Sequence, residues 1–550
     1  MESKNLIENT KYDLCVIGSG PAGIILALEY CKLNPDKKAI LVEFGRNGKN
    51  QKNSLDDSIE IENLINHHTP YECTNKGLGG SSATWGGRCV MYDEVDFIDR
   101  PIVNNGCTWD IDLFEDVNKY VGKTSDYFDC GEPVFDLNQS PEYKSKHIAD
   151  NFVPGDVTDS VIERWSMPTR FGVKYKGQIT NTKNLQLIQG YEARDFSDPD
   201  ANGTVEKLLL RNIDDKSTIY ITASRFAIAS GAQESTRLLL RNKNLFKKLQ
   251  DVPPSLGKYY QGHISGKIAT VKFYGNKKNT EYGFIQDKDG IYLRRRFQFS
   301  KDYLVKNNLL NTAIWLDNPL YHNPKHKSGP MSFMYMAMIT PILGKKLAPP
   351  AIAHSITKGK KEKLGAHVSN IVRGLPGSLL IPARIFYKRY MLTRKLPGIF
   401  LYSPENRYAL HFHAEQIPIA GNSMTLGKDG ETLVINYSLT KDDAQSVIAV
   451  HKKLDEWLRK CNCGELEYWY PEQELEDKII GMSKDGLHQS GTTRIANSEN
   501  DGVVDNNLTV FGTNNISVCS SSVFPTSGQA NPTFYLGVFA VRLANFLSKK

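Results

Sequence analysis

The feature that most constrains the fold is a glycine-rich turn between an apolar strand and an apolar helix. Residues 12–45 read YDLCVIGSGPAGIILALEYCKLNPDKKAILVEFG. The segments DLCVIG and AILVEFG have the length and apolar character of buried strands, and PAGIILALEYCKL between them has helical spacing. Because strand–helix–strand crossovers within one sheet are right-handed, the two strands should be parallel neighbours. The sequence therefore predicts a doubly wound α/β domain.

Three glycines of this turn, Gly18, Gly20 and Gly23, have the spacing GxGxxG. The first permits a tight turn, the second lets the backbone approach a diphosphate, and the third lets the helix pack on the strand. The N–H groups at the start of the helix then face the diphosphate. Glu43 ends the second strand, where an acid can bind a ribose 2′-hydroxyl. These residues predict a dinucleotide site for FAD or NAD rather than NADP.

A second glycine-rich segment, KGLGGSSATWGGRC, spans residues 76–89. One interpretation is a flexible linker, because this composition suits neither helix nor strand. The other is a loop whose backbone lies against a flat ring, where larger side chains would clash. Trp85 and the apolar continuation CVMYDEVDF favour the second interpretation.

A single histidine, His488, stands among small and hydroxylated residues in GLHQSGTTR, residues 486–494. In one interpretation it only hydrogen-bonds within a loop. In the other, the backbone approaches a flat ligand and the imidazole moves a proton, which its ordinary pKa near neutrality allows. The segment alone does not decide between the two.

Composition excludes several classes of protein. The chain of 550 residues is long enough for two or more domains, and 40% hydrophobic with 23% charged residues is typical of a globular protein. Nine scattered cysteines without a CxxC pair predict free, mostly buried thiols in a reducing compartment. The polar start MESKNLIENT predicts no secretory signal, and no apolar run reaches 18 residues. We therefore expect a cytoplasmic protein.

Five segments occur in the order of a known family: VIGSGPAG…LVEFG, GLGGSSATW, FAIASGAQESTRLLL, HQSGTTR and SVFPTSGQANPTFYLGVFAVRLA. Together they resemble the glucose–methanol–choline (GMC) oxidoreductases, which use FAD. The Trp in the second glycine loop and the Asn of NPT are closest to the pyranose-oxidase and fructose-dehydrogenase branch. EQIPIAGNSMTLGKDG resembles the strand before the family's substrate-domain helix, whereas residues 100–185 and 300–410 carry no family motif.

The resemblance implies a fold and a domain organisation. We expect a Rossmann-like, doubly wound FAD-binding domain interleaved with an α+β substrate domain built on an antiparallel sheet. The FAD-binding domain would comprise residues 1–100, 186–262 and 478–550. The substrate domain would comprise 101–185 and 263–477, with a basic amphipathic insertion at 334–400.

The resemblance also implies a catalytic pair, His488 and Asn531. His488 would take the hydroxyl proton of a sugar or other alcohol while a hydride passes to flavin N5. Asn531 cannot act as a base, but its amide can hydrogen-bond the alcohol oxygen and fix its orientation. The sequence does not indicate the electron acceptor, and both oxidase and dehydrogenase remain possible.

The cofactor contacts implied by the resemblance come from both ends of the chain. They are Gly18, Ser19, Gly20, Pro21, Ala22, Gly23, Glu43, Gly79, Gly80, Ser81, Ser82, Trp85, Ala193, Ser230, Gly231, Ser521, Asn531, Pro532 and Thr533. Two positions depart from the family. Thr84 stands where some members tether FAD through a histidine, so we expect non-covalent FAD. Ser520 stands where many members carry an Asp.

Other histidines are predicted to be structural. His263 lies in GKYYQGHISG, a segment that the resemblance places close to the substrate domain. His411 and His413 alternate along a predicted strand and share one face. Because no third ligand accompanies them in the sequence, we predict no metal site.

Residues 341–400 hold twelve lysines and arginines and one acid, Glu362. Their formal net charge, 12 − 1 = +11, exceeds the +7 of the whole chain. In PGSLLIPARIFYKRYMLTRKLPGIF, apolar and basic side chains fall on different sides of a helix. The segment is either a solvated insertion or a surface that binds an anionic membrane or a phosphate-bearing substrate. In the membrane case the protein would be peripheral at the inner membrane face. Nucleic acid is not expected, since no recognition fold accompanies the charge.

Three other functions compete with alcohol oxidation. The first is an FAD-containing lyase of the same fold, in which FAD plays no redox part. The second is a non-catalytic flavoprotein that binds a membrane surface. The third is a nicotinamide-dependent dehydrogenase, which the C-terminal segments disfavour.

Overall fold

The computed structural model describes residues 7–46, 58–103, 108–139, 146–166, 169–318, 320–340, 363–485 and 487–549. Part of the predicted basic insertion, residues 341–362, therefore lies outside the described residues, as do Gly486 and Cys107. All seven cysteines whose side chains are described are free, and six of them are buried.

A five-stranded parallel sheet forms the centre of the predicted nucleotide-binding domain. Its strands, in spatial order, are Ile516–Val518, Phe226–Ile228, Leu14–Ile17, Ala39–Glu43 and Leu185–Gln189. Every residue in the first four of these strands is buried, which explains their mostly apolar sequence, whereas the edge strand Leu185–Gln189 is only partly buried. This sheet confirms the predicted doubly wound α/β fold.

The crossover helix Pro21–Leu33 packs against the C-terminal helix Pro532–Ser548. Both helices begin at a proline, whose missing N–H is not needed at the first helical position. An antiparallel meander of Tyr191–Phe196, Lys207–Asn212 and Thr218–Ala223 lies beside the parallel sheet, and Lys11–Tyr12 pairs with its last strand.

A four-stranded antiparallel sheet forms the second layer. Its spatial order is Thr312–Asp317, Arg407–Ala414, Ile264–Phe273 and Gly464–Tyr468. The amphipathic helix Lys441–Lys460 contacts the last of these strands. Thr440 caps that helix, because its hydroxyl accepts from the N–H of Asp443 and the Asp443 carboxylate accepts from the N–H of Thr440.

Smaller strands and helices complete the described part of the chain. The remaining strands are Ile59–Ile61, Arg88–Cys89, Val157–Thr158, Ile162–Trp165, Ile285–Gln286, Tyr292–Arg295, Gln298–Phe299, Ser423–Leu426 and Leu433–Asn436. The remaining α-helices are Pro70–Cys73, Ile111–Asn118, Val121–Phe128, Phe171–Lys174, Lys176–Asn181, Gly231–Arg241, Lys301–Lys306, Gly329–Ile339, Leu364–Arg373, Gly377–Tyr390 and Leu475–Met482.

A buried ion pair attaches a loop to the antiparallel sheet. Both side chains of Arg100 and Glu415 are fully buried, and Arg100 Nη2 donates to both carboxylate oxygens at 2.8 and 2.9 Å. The N–H of Asn311 also donates to this carboxylate. Glu415 directly follows the strand Arg407–Ala414, so the pair links the segment after the second glycine loop to the antiparallel sheet. The domain boundaries named above remain a prediction, although the parallel strands come from residues 14–43, 185–228 and 516–518.

Candidate active site

One large cavity lies where the parallel sheet meets the C-terminal helix, with a volume of about 630 Å³. That size is typical of sites for small molecules and cofactors. The predicted site residues that line it are Gly18, Ser19, Gly20, Pro21, Ala22, Glu43, Gly80, Ser81, Ser82, Trp85, Ala193, Ser230, Gly231, His488, Ser521, Asn531, Pro532 and Thr533. Of the predicted set, Gly23 and Gly79 do not line it.

The first glycine turn has the geometry that a diphosphate requires. Gly18 has φ of +102°, and a Cβ there would lie 2.6 Å from the carbonyl oxygen of Ala229. A Cβ on Gly23 would lie 1.9 Å from the carbonyl oxygen of Gly18, so Gly23 serves helix packing. Gly20 has open space around its Cβ position and precedes the helix that begins at Pro21. Its backbone and the helix N-terminus therefore face the cavity, where an anion can bind.

Glu43 holds both glycine loops to the end of its strand. Its Oε2 accepts from the N–H of Ser19 at 3.0 Å and from the Ser19 hydroxyl at 2.6 Å. Its Oε1 accepts from the N–H groups of Gly45 and Gly77, each at 2.8 Å. The carboxylate thus has a structural role that the sequence did not reveal, and it also lines the cavity where a ribose hydroxyl could donate to it.

The second glycine loop approaches the first closely. A Cβ on Gly80 would lie 3.0 Å from Gly20 Cα, whereas one on Gly79 would lie 2.4 Å from the backbone nitrogen of Gly172. Gly79 therefore permits packing of the loop against another segment. Trp85 is fixed because its indole N–H donates to the Thr169 carbonyl at 2.9 Å. These contacts make an ordered loop, in contrast to the linker interpretation.

His488 and Asn531 meet in this cavity, although 43 residues separate them. The Nδ2 of Asn531 lies 2.7 Å from Nε2 of His488. Because an amide nitrogen can only donate, Nε2 is the accepting nitrogen, and the imidazole proton is on Nδ1. The His488 Nδ1 and the Asn531 Oδ1 have no partner among the residues that the structure describes.

The environment of His488 favours the neutral imidazole. Burial is the largest cause and the positive charge of Arg88 the next, and together they lower the pKa of His488 to about 3 against an opposing effect of Asp485. At neutral pH the imidazole is therefore neutral and its Nε2 can accept a proton, but the lowered pKa makes it a weaker base than the ordinary histidine that the sequence suggested. Gly491 keeps the surrounding loop narrow, since a Cβ there would lie 2.0 Å from the Tyr259 carbonyl oxygen at φ of +93°.

Two further histidines lie beside His488 that the sequence did not assign to the site. The His263 and His413 rings are stacked, with centroids 4.2 Å apart and an interplanar angle of 16°, and both meet the His488 ring nearly edge-on. Ring nitrogens of the three histidines lie within 4.8 Å of one another. However, a metal ion must lie near the plane of each imidazole that binds it. The stacked planes of His263 and His413 do not converge on one point, so the cluster is a poor metal site.

The opposite end of the cavity is polar. Lys76 Nζ lies 3.2 Å from Glu234 Oε1, and both lie in the cavity wall with Arg237. The charges of Lys76 and Arg237 outweigh burial and lower the pKa of Glu234 to about 2. The side-chain amide of Gln233 is buried in this wall, and both its nitrogen and its oxygen lack a partner among the described residues. Gln233, Glu234 and Arg237 belong to the family segment FAIASGAQESTRLLL, which gave no indication of these contacts.

The cavity suits a dinucleotide with a flat ring. An anion-binding helix start, an acid at the ribose position and unpartnered polar groups at both ends match the diphosphate, the ribose and the outer rings. Thr84, at the predicted tethering position, lines the cavity and accepts from the Asn75 amide. Ser520 is buried, and its hydroxyl accepts from the N–H of Ser522 at 3.3 Å.

Comparison with known proteins gives one family match. Residues 418–540 match the family model described as GMC oxidoreductase, which confirms the predicted resemblance over the segment that holds His488 and Asn531. None of the curated proteins matches the chain significantly in sequence.

Several solved structures share the fold over 98% of this chain and 99% of their own. A fungal aryl-alcohol oxidase has a TM-score of 0.52 at 13% identity. A variant of formate oxidase from Aspergillus oryzae RIB40 has 0.53 at 14% identity, and an FAD-dependent oxidoreductase from Chaetomium thermophilum has 0.50 at 13%. At these identities the likeness establishes the fold alone.

The lowered pKa of His488 gives a prediction that does not depend on turnover. In the FAD-loaded protein with ¹⁵N-labelled histidine, we expect the His488 ring signals to stay those of a neutral imidazole from pH 8 down to pH 5. His147 is the internal control, because its hydrogen bond to Asp159 raises its pKa above the ordinary value and it should become charged as the pH falls through neutrality. Protonation of His488 near pH 6.5 would contradict this electrostatic account.

Proposed function

We propose that this chain, which carries the C-terminal domain of the GMC oxidoreductases at residues 418–540, is an FAD-dependent oxidoreductase that oxidises a CH–OH group of a sugar or other alcohol. The observation that supports it most directly is the 2.7 Å contact between His488 and Asn531 in the wall of the nucleotide-sized cavity. Bound FAD would supply the acceptor for the hydride that leaves the carbinol carbon.

His488 is the proposed general base. A substrate hydroxyl placed between His488 and Asn531 would donate its proton to Nε2, and the substrate carbon would become a carbonyl as the hydride leaves. The lone pair needed for this step is that of Nε2, which accepts from Asn531 in this structure.

Asn531 is the proposed orienting residue. Its Nδ2, which donates to His488 before substrate binds, would donate to the alcohol oxygen instead and fix the C–H bond toward the flavin. Because Asn531 directly precedes the helix Pro532–Ser548, its position is set by the packing of that helix. The pair is therefore brought together from two segments that are distant along the chain.

The main test is anaerobic reduction of the flavin. Purified protein mixed with a panel of sugars and simple alcohols should lose its visible flavin absorbance with the substrates that it oxidises. Replacing His488 with Ala removes the base and should slow this reduction by about two to four orders of magnitude without loss of bound FAD. His147→Ala, at a histidine outside the cavity, is the control and should reduce at the wild-type rate.

The outcomes separate the competing functions. An unchanged rate in His488→Ala would show that another group is the base. A yellow protein that cleaves a substrate without losing flavin absorbance would favour the lyase. A yellow protein without any turnover would favour a binding protein, and a colourless protein without extractable FAD would overturn the proposal.

The cofactor is expected to be bound without a covalent bond. Thr84 lacks a nucleophilic nitrogen, and the cavity offers Glu43, the helix start after Gly20 and the second glycine loop as non-covalent contacts. Denaturation in acid should therefore release all of the yellow colour into the supernatant. Flavin fluorescence that stays with the protein band on a denaturing gel would contradict this.

A second proposal concerns the surface formed by the helices Leu364–Arg373 and Gly377–Tyr390, here called the basic–apolar surface. Its exposed apolar side chains are Leu364, Val368, Val372, Leu375, Leu379, Leu380, Ile381, Phe386, Tyr387, Tyr390 and Met391. Between residues 363 and 400 there are seven basic residues and no acidic one. Apolar groups exposed among basic ones are typical of helices that lie on anionic lipid.

The basic–apolar surface adjoins the cavity. Ile385, on its second helix, packs against a small cluster that contains Trp165 and Leu396. Trp165 and Pro397 line the cavity. No described helix is long and apolar enough to cross a bilayer. We therefore propose that this surface rests on an anionic membrane and gives the cavity access to alcohols held at the lipid surface.

This second proposal is tested by sedimentation with liposomes. The protein should sediment with vesicles of an anionic phospholipid at low salt, and much less at high salt, because counter-ions screen the attraction. Tyr387→Asp should weaken binding strongly, since it places a charge among the apolar groups. Tyr220→Asp is the matched control, because Tyr220 is similarly exposed, at 51% against 55%, but lies on the antiparallel meander. Equal effects of the two variants, or no sedimentation at low salt, would contradict the proposal.

A further inference from the structure

Arg88 is a charged residue in the wall of the same cavity that His488 and Asn531 line. It follows the second glycine loop and begins the short strand Arg88–Cys89, in which it pairs with Trp165. Its side chain is 14% exposed. A guanidinium group is thus built into the substrate end of the cavity, held by a strand rather than by a loop.

The hydrogen bonds of Arg88 are incomplete. Its Nη2 donates to Glu163 Oε1. Its Nε is buried without a partner, and no described residue accepts from Nη1. A charged donor enclosed without an acceptor is costly, so such groups usually have a partner in the functional state. The unused protons of Arg88 are therefore available to a ligand oxygen.

The one acceptor that Arg88 has among the described residues is shared. Glu163 also accepts from Arg294 Nε and Nη2 at 3.0 and 2.6 Å, and Arg296 Nη1 lies 3.8 Å from it. Asp93 and Asp96 act on Arg296, whose Nη1 donates to Gln529, but neither is hydrogen-bonded to Arg88. Three guanidinium groups around one carboxylate leave Arg88 with positive charge that Glu163 alone does not neutralise.

Aromatic packing fixes the direction of Arg88. The guanidinium carbon lies 4.3 Å from the centre of the Trp315 ring, and that of Arg294 lies 4.6 Å from the same ring. Trp315 is in turn stacked on His411, with centroids 4.5 Å apart. These contacts, together with Glu163, prevent the side chain from turning out to solvent.

Arg88 also acts on the reacting end of the cavity. After burial, its charge is the largest cause of the lowered pKa of His488. Burial and repulsion from Arg294 and Arg296 lower the pKa of Arg88 itself to about 9, against the opposing attraction of Glu163, so the guanidinium remains charged at neutral pH. An anion bound at Arg88 would thus lie close to the site where the alcohol loses its proton.

We propose that Arg88 binds an anionic group of the substrate, so that the preferred alcohols carry a carboxylate or a phosphate, as hydroxy acids, sugar acids and sugar phosphates do. This inference rests on the proposed alcohol oxidation and specifies its substrate class. The free Nη1 protons would donate to an anionic oxygen, and the charge-assisted bond would hold the neighbouring hydroxyl at His488 and Asn531.

The first test measures binding without turnover. The FAD-loaded protein is titrated with acetate, with inorganic phosphate and with sodium chloride as an ionic-strength control, while the visible flavin spectrum is followed. Wild type should show a saturable spectral change with acetate, phosphate or both, and the stronger of the two identifies the anionic group. Arg88→Met should weaken that binding by about 10- to 100-fold, the usual range for a hydrogen bond to a charged group. No saturable change in wild type would overturn the inference.

The second test compares matched alcohols in anaerobic flavin reduction. The sets are glycerol, glycerate and glycerol 3-phosphate, and glucose, glucuronate and glucose 6-phosphate. Wild type should reduce faster at low concentration with a charged member of a set than with the neutral one. Arg88→Met should abolish that preference by raising KM for the charged member, with a change of less than about threefold in KM for the neutral one. Equal losses for charged and neutral alcohols would show that Arg88 does not bind the anionic group.

Two variants control for structure and for long-range charge. Arg88→Lys keeps the charge but not the planar fork, and should retain part of the preference, which Arg88→Met should lose. Arg394→Met removes a partly exposed charge that pairs with Asp129 outside the cavity wall, and should leave the preference unchanged. FAD content and melting temperature of each variant are measured alongside. If Arg88→Met fails to fold, Arg88→Lys alone tests the inference. A ratio of KM for the charged alcohol to KM for the neutral one that equals the wild-type ratio in Arg88→Lys would contradict it.

Alcohol oxidation and the anion site at Arg88 can be contradicted separately. If no alcohol reduces the flavin but acetate or phosphate binds in an Arg88-dependent manner, alcohol oxidation is wrong and the anion site stands. If neutral alcohols reduce the flavin and no anion binds, oxidation stands and the role of Arg88 is wrong.

Discussion

The arrangement of the whole site depends on the four hydrogen bonds that Glu43 accepts. One carboxylate at the end of a parallel strand receives donors from the first glycine turn, from its own following residues and from the second glycine loop. Glycine-rich backbone has many accessible conformations, so its order must come from such contacts. Because the two loops lie against each other in the cavity wall, Glu43 helps to fix how they pack. An acid that the sequence suggested for a ribose contact therefore also serves as the structural link between the loops.

His488, Asn531 and Arg88 are positioned by contacts that do not involve Glu43. His488 lies between the helix Leu475–Met482 and Ser490, which forms a β-bridge with Gln261, and Asn531 directly precedes the C-terminal helix. Arg88 is held by an antiparallel strand, an aromatic ring and a shared carboxylate. The proposed proton acceptor and the proposed anion site are thus held by separate segments of the chain that meet in the cavity wall.

The sequence predicted the local structure of the nucleotide site well because local rules govern it. The GxGxxG spacing, the proline at Pro21 and the acid at Glu43 are constraints that act over a few residues, and the parallel sheet follows from them. The resemblance to a family supplied the pairing of His488 with Asn531, which the spacing of residues could not have given. His263 and His413 were missed because they come from neighbouring antiparallel strands, whose register is set by tertiary packing. Arg88 was visible as the residue after the glycine loop, but its shared acceptor on Glu163 could not be read from the sequence.

The order of strands in the parallel sheet has a consequence for biosynthesis. The strand Phe226–Ile228 is flanked by Leu14–Ile17 and by Ile516–Val518, and the helix Pro21–Leu33 is covered by Pro532–Ser548. About 500 residues separate the helix Pro21–Leu33 from Pro532–Ser548, so at the usual 5–20 residues per second of translation it waits about 25–100 s for this cover. During that interval the apolar face of the first helix is uncovered and one wall of the cavity does not exist. Cofactor loading then follows synthesis of Pro532–Ser548, and the uncovered apolar face is prone to aggregation until that helix forms.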